Sequence, residues 1–167
     1  ATTPPPRTAR IRSASQTGPH LFFEVGTSVF GVKLVDAQFP PYQQVIPKTA
    51  SRTVKASRKA LVDALSAVKL AASDRTNGVK LTCLPGTLRI TSESPDAGNG
   101  FDELPVECEG PELTIGFNAN YFIEVLSAMT DDDVALSLSG ELDPAVIRPA
   151  TEEAGESYLA VIMPMKI

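Results

Sequence analysis

The chain has 167 residues, a formal net charge of −5, and 43% hydrophobic and 21% charged residues, a balance that permits a packed core over most of one ordinary domain. No apolar run approaches the ~20 residues of a membrane-spanning helix, and the opening ATTPPPRTARIRSAS has no apolar stretch of the kind a secretory leader carries. Residues 1–48 hold five Lys/Arg against two Asp/Glu, residues 49–167 hold ten against eighteen, and 93–147 hold thirteen acidic residues with no Lys or Arg, which excludes a grip on nucleic acid through a broad basic surface.

The chain begins on Ala1 rather than Met and is read as a fragment or processed form. Residues 1–19, rich in Pro, Thr and Ser, are predicted to be disordered. HLFFEVGTSVFGVKLVD alternates and breaks at Gly26, which predicts a hairpin. AQFPPYQQVIPK holds three prolines in twelve residues. It is predicted to be an extended connector, since proline and the residue before it both disfavour helix.

After the connector a pattern appears and then recurs. RTVKAS predicts a strand, SRKALVDALSAVKLAASD a helix with Ser57 as N-cap, GVKLTCLPGTLRITSES a hairpin turning at Pro85–Gly86, and FDELPVECEG a further strand. ELTIGF then predicts a strand, NANYFIEVLSAMT a helix capped by Asn118, and DVALSLSG, PAVIRPA and YLAVIMPM three more strands. The order βαβββ occurs twice, an internal duplication. Two helices covering sheets of eight strands make an α+β fold.

At 100° per residue, Leu61, Leu65, Val68 and Ala72 share one side of the first helix and are predicted to face the core. The other side gathers Arg58, Lys59, Asp63, Ser66, Lys69 and Ser73, with Leu70 an apolar residue among them. The second helix has a narrow polar arc of Asn120, Glu124 and Ser127.

No residue set points to catalysis. Cys83 and Cys108 lack metal-ligand spacing and are read as small apolar-like side chains in strands. The single histidine, His20, lies in a predicted turn and cannot by itself build a triad or a zinc site. A Gly-rich phosphate loop and a GxSxG elbow are both missing. TDDDV at 130–134 is read as a solvated turn rather than a metal site. No enzyme activity, cofactor or metal is expected.

KLVDAQFPPYQQVIPK (33–48), LTIGFNANYFIEVL (113–126), PAVIRPA (144–150) and the ending VIMPMKI together resemble the bacterial DNA polymerase III beta subunit, the sliding clamp. The likeness runs in order from about residue 20 to the end. It implies that 20–42 are the terminal hairpin and connector of the clamp middle domain and that 43–167 are the clamp C-terminal domain. The implied fold is the DNA-clamp fold, six βαβββ units closing a ring in a head-to-tail homodimer. The implied function is that of a cytoplasmic, non-enzymatic processivity factor that encircles duplex DNA and binds linear motifs of the DNA polymerase III alpha subunit, other polymerases and the clamp loader.

Carried over residue by residue, the resemblance implies a peptide-binding pocket of Pro40, Val45, Asn118, Tyr121, Leu142, Pro144, Val161, Ile162, Met163, Pro164 and Met165. It implies DNA-facing cations at Arg58, Lys59 and Lys69, and a subunit interface at Leu70, Ala71, Asp102 and Glu103, the two acids facing basic partners. Two positions depart from the family pattern: Gln44 stands where Arg is frequent, and Thr76 where some members carry a bulky aromatic. In the final strand, Val161 and Met163 are expected on one face and Ile162 on the core side. Pairing is expected to stop at Pro164, which has no N–H to give, leaving 165–167 as a rim, and deletion of 163–167 is expected to abolish peptide and polymerase binding in the full clamp with little loss of stability. A stand-alone peptide-binding adaptor of the same fold, forming no ring, is the alternative of a different class.

Overall fold

The alternation at 20–33 becomes two antiparallel strands, β2 (His20–Val25) and β3 (Ser28–Lys33), and a further strand precedes them, β1 (Ile11–Thr17). This computed structural model describes residues 11–39, 41–47, 50–151 and 158–167. The strand β1 corrects the expectation of disorder across 1–19; residues 1–10 of that stretch lie outside the described residues. Every residue of β1 is exposed, so its composition carries no burial signal. Its order comes from backbone pairing with β2 in a register running from Ile11↔Val25 to Thr17↔His20.

The chain forms two compact units, divided between residues 40 and 41. The first is the three-stranded sheet β1-β2-β3. The second begins with a 3-10 turn at Tyr42–Gln44 in the proline-rich connector, followed by β4 (Arg52–Ser57), α1 (Arg58–Lys69), β5 (Gly78–Leu84), β6 (Thr87–Ser94) and β7 (Gly98–Pro105). The same order then returns as β8 (Leu113–Asn118), α2 (Ala119–Ala128), β9 (Asp133–Leu138), β10 (Ala145–Pro149) and β11 (Ala160–Ile162). The duplicated βαβββ unit is therefore present. The β5–β6 turn falls at Pro85–Gly86, with Gly86 at φ 73°, where a side chain would be strained.

The two repeats trade strands. One sheet runs β11-β10-β9-β4 and the other β7-β6-β5-β8, so the first strand of each repeat completes the sheet of the other. β4 pairs with β9 from Arg52↔Leu138 to Ser57↔Asp133, and β8 pairs with β5 from Gly78↔Asn118 to Cys83↔Leu113.

The helices fill the space beside both sheets. Leu61, Leu65, Val68 and Ala72 are buried as the helical period requires, together with Val79, Leu81, Leu88, Ile90, Phe117, Phe122, Leu126, Leu136 and Ile147. Phe117 of β8 meets Phe122 of α2 edge-on, ring centroids 5.0 Å apart.

One backbone contact closes each seam between the sheets. Lys55 of β4 and Glu107 exchange N–H···O bonds of 3.0 Å in both directions. At the opposite edge the Met165 N–H donates to the Gly116 carbonyl of β8 at 2.8 Å. No helix among the described residues is long and apolar enough to cross a membrane.

Candidate functional site

The last strand is short because its sequence makes it so. β11 pairs with β10 only from Ile147↔Ala160 to Ala145↔Ile162, and Pro164 has no N–H with which to continue the ladder. Strand parity sends Ile162 into the core at 3% exposure and leaves Met163 outward at 58%. Met163 then lines a groove of about 540 Å³ with Gln44, Val45, Pro47, Ala50, Ser51, Ser139, Asp143 and Pro144. A second groove of about 480 Å³ holds Tyr42, Val45, Ile46, Leu159 and Val161. Val45 belongs to both, so the connector supplies a shared wall.

Of the expected pocket residues, Val45, Pro144, Val161 and Met163 are brought to these grooves. Tyr42, Ile46, Pro47 and Leu159 join them without having been singled out; the apolar run of the connector and of YLAVI was the signal that marked them. Ile162 belongs to the core rather than to a groove wall. The Asn118 side chain is committed to its helix, accepting from the Asn120 N–H at 2.9 Å. Tyr121 and Leu142 are exposed and line neither groove. Pro164 and Met165 are half-buried, outside both groove linings. Pro40 lies outside the described residues.

The tail beyond Pro164 is anchored rather than a loose rim. Besides the Met165 bond to β8, the Ile167 side chain packs on Gly116 and Gly78, on neighbouring strands.

The three cations of α1 have different fates. Arg58 lies at the helix N-terminus, where its charge opposes the dipole, but its side chain turns to the end of α2. There Nε donates to the Asp131 carbonyl and a terminal nitrogen to the Leu126 carbonyl, so the guanidinium meets the negative end of another helix. Lys59 pairs with Asp63 one turn on, both exposed. Lys69 has neither an ion pair nor a hydrogen bond to its side chain among the described residues. Of the TDDDV run, Asp131 and Asp132 give backbone carbonyls to Arg58 and Asp133 gives one to the Ala150 N–H; no group of three His, Cys, Asp or Glu is placed to hold a metal among the described residues.

At the other end of α1, Leu70 is 83% exposed. The Ser92 hydroxyl donates to the Val68 carbonyl at 2.7 Å, which holds the helix end against β6, where Ser92 pairs with Gly100 of the edge strand β7. Phe101 follows, exposed at 63% and unmarked by the sequence reading. Asp102 and Glu103 point to opposite faces of β7. Glu103 accepts from Arg89 Nε at 2.8 Å, and the same guanidinium lies 5.8 Å from the Phe101 ring centre. Glu103 therefore has a basic partner inside the chain, and Asp102 accepts from the Glu103 N–H.

Comparison with known proteins bears on these surfaces. The family model described as DNA polymerase III beta subunit, C-terminal domain, matches residues 43–166. The beta sliding clamp of Pseudomonas putida KT2440 is 34% identical over 148 residues, covering 89% of this chain and 40% of that protein. The Escherichia coli K12 beta sliding clamp is 32% identical over 143 residues, covering 86% and 38%. Among solved structures, the Pseudomonas aeruginosa sliding clamp crystallised with ligand superposes with a TM-score of 0.85 at 29% identity, over 92% of this chain and 41% of that one. The Bartonella birtlesii clamp bound to griselimycin gives 0.85 at 32% identity, over the same shares of the two chains. The chain thus spans about 40% of the length of the curated relatives it matches.

Proposed function

The chain belongs to the DNA polymerase III beta subunit family through its C-terminal domain, and from that premise we propose that it serves as part of a sliding clamp, the processivity factor of bacterial chromosomal replication. The family is non-enzymatic. In this reading the full-length protein closes a head-to-tail homodimeric ring around duplex DNA in the cytoplasm. Polymerases, the DNA polymerase III alpha subunit among them, and the clamp loader dock through linear motifs in the groove pair that meets at Val45.

The groove pair carries the reading. Two adjoining hollows share one wall, one lined by Tyr42, Val45, Ile46, Leu159 and Val161 and the other of mixed lining with Val45, Pro47, Pro144 and Met163 as its larger apolar members, and they suit a short peptide with two apolar anchors, one Leu and one Phe. Burying each anchor contributes ~1.5–3 kcal/mol before ordering costs. Met163 suits a surface that accepts several sequences, since a thioether chain repacks easily. Charge supports the other half. An enclosing ring needs no tight phosphate grip, and the net acidity of 49–167 is compatible with a few cations such as Lys69 and Lys59 touching phosphates transiently. Leu70, with Ala71 and Asp102 near the free edge of β7, is the proposed subunit contact.

Calorimetric titration of a synthetic peptide carrying the Leu and Phe anchors tests the groove. The chain is expected to bind it in the high-micromolar range, and Met163→Ala or Val45→Ala to weaken it severalfold. Unchanged affinity in both variants would overturn the assignment.

A further inference from the structure

Met163 is the most exposed groove-lining residue of the final strand segment, yet no ladder bond holds it in place. Pairing ends at Ile162↔Ala145. The chain is next fixed at Met165, whose N–H donates to the Gly116 carbonyl of β8. Met163 and Pro164 are therefore a two-residue span tied at both ends.

Beside that tie the half-exposed Ile167 side chain lies against the sheet. Gly78, Lys80, Gly116 and Asn118 share the face of the β5–β8 pair opposite the buried Val79, Leu81, Ile115 and Phe117. Two of these four have no side chain, which leaves a notch. The Ile167 Cγ1 and Cδ1 atoms occupy it. A Cβ placed on Gly116 would stand 2.9 Å from both atoms and would also meet the Met165 carbonyl; one on Gly78 would stand 3.1 Å from Cδ1. The fit admits no larger residue at Gly116 without moving the tail.

We propose that Ile167 is a positioning residue for peptide binding, a clip that locks the tail onto the Gly116–Gly78 notch and so pre-sets Met163 in the groove. Ile167 lines neither groove and acts only through the segment it restrains. The proposal rests on the peptide-binding reading. Holding Met163 before the ligand arrives removes an ordering cost from association, so losing the clip raises the dissociation constant without removing a contact.

The test uses the whole chain. Ile167→Ala and Gly116→Ala are each expected to weaken the anchor peptide about five- to tenfold and to accelerate hydrogen exchange at the Met165 amide, with Ile167→Val restoring most of both. Measurement well below each variant's melting temperature separates this from unfolding. Val45→Ala reports on the groove itself. If Val45→Ala weakens the peptide and Ile167→Ala does not, the clip is wrong and the groove stands. If neither weakens it, the groove reading fails as well. If the chain takes no peptide, the groove reading fails and the clip, as a positioning residue for peptide, falls with it; unchanged Met165 protection in Ile167→Ala overturns the clip whatever the peptide does.

Discussion

Cys83 lies in β5 with its thiol buried, and burial, then the neighbouring Cys108, pushes its pKa from an ordinary 9.0 to about 11, with Arg52 pulling the other way. The folded state thus holds this proton more tightly than the unfolded chain. The contribution is complete below about pH 9 and is lost as pH rises towards 11. Cys83→Ala is therefore expected to be destabilising at pH 8, and its deficit against the parent to shrink by about 1–2 kcal/mol by pH ~10.5; denaturant midpoints at the two pH values check this. Leu70 is the opposite kind of residue. With its side chain in water, Leu70→Glu should change the stability of this chain by less than ~0.5 kcal/mol. In the full-length protein the same substitution should dissociate the proposed dimer at nanomolar concentration, read by mass photometry; a persisting dimer would remove Leu70 from the interface.

The two helices show how far an element can be read from its letters. Ser57 and Asn118 both occupy N-cap positions, as their sequences predict, but only Asn118 bonds its helix; Ser57 makes no side-chain cap bond. Asn118→Ala should cost ~0.5–2 kcal/mol and Ser57→Ala much less, measured by thermal unfolding. The core stripe of α1 and the hairpin turn at Pro85–Gly86 were legible because a period and a turn residue are local facts. The partner of β4 was not, since RTVKAS pairs as readily with any neighbour, and only packing selects β9. The groove was half legible. Val45, Pro144, Val161 and Met163 could be carried over by resemblance, whereas the commitment of Arg58 to the end of α2 and of Glu103 to Arg89 depends on which elements end side by side. β1 escaped notice because order in it rests on backbone pairing alone.

On the scale of the domain, each seam between the sheets is held by very little backbone: Lys55 with Glu107 on one side, Met165 with Gly116 on the other. Removing residues 163–167 opens the second seam and strips Ile167 from its notch. The truncated chain should lose about 2 kcal/mol of stability, from one hydrogen bond and a half-buried isoleucine, as well as peptide binding. Equilibrium urea unfolding gives the first number; a loss near zero would mean that the seam holds without the tail. Charge acts at the same scale. Residues 49–167 carry eight more acids than bases, and this chain should bind linear duplex DNA no more tightly than the ~10⁻⁴–10⁻⁶ M of non-specific contacts at about 150 mM salt. Sub-micromolar binding in fluorescence anisotropy would contradict that.

The exchange of first strands between the repeats has a consequence in time. β4 leaves the ribosome long before its partner: Ser51, at its start, bonds the carbonyl of Leu138, 87 residues later. At ~5–20 residues per second of synthesis, β4 waits roughly 4–17 seconds with its main-chain N–H and C=O groups unpaired and with Val54 and Ala56, buried in the finished domain, open to solvent. The nascent first repeat cannot complete its fold until β9 has been made. For that interval the strand's apolar residues lie open to any partner that binds unfolded chain.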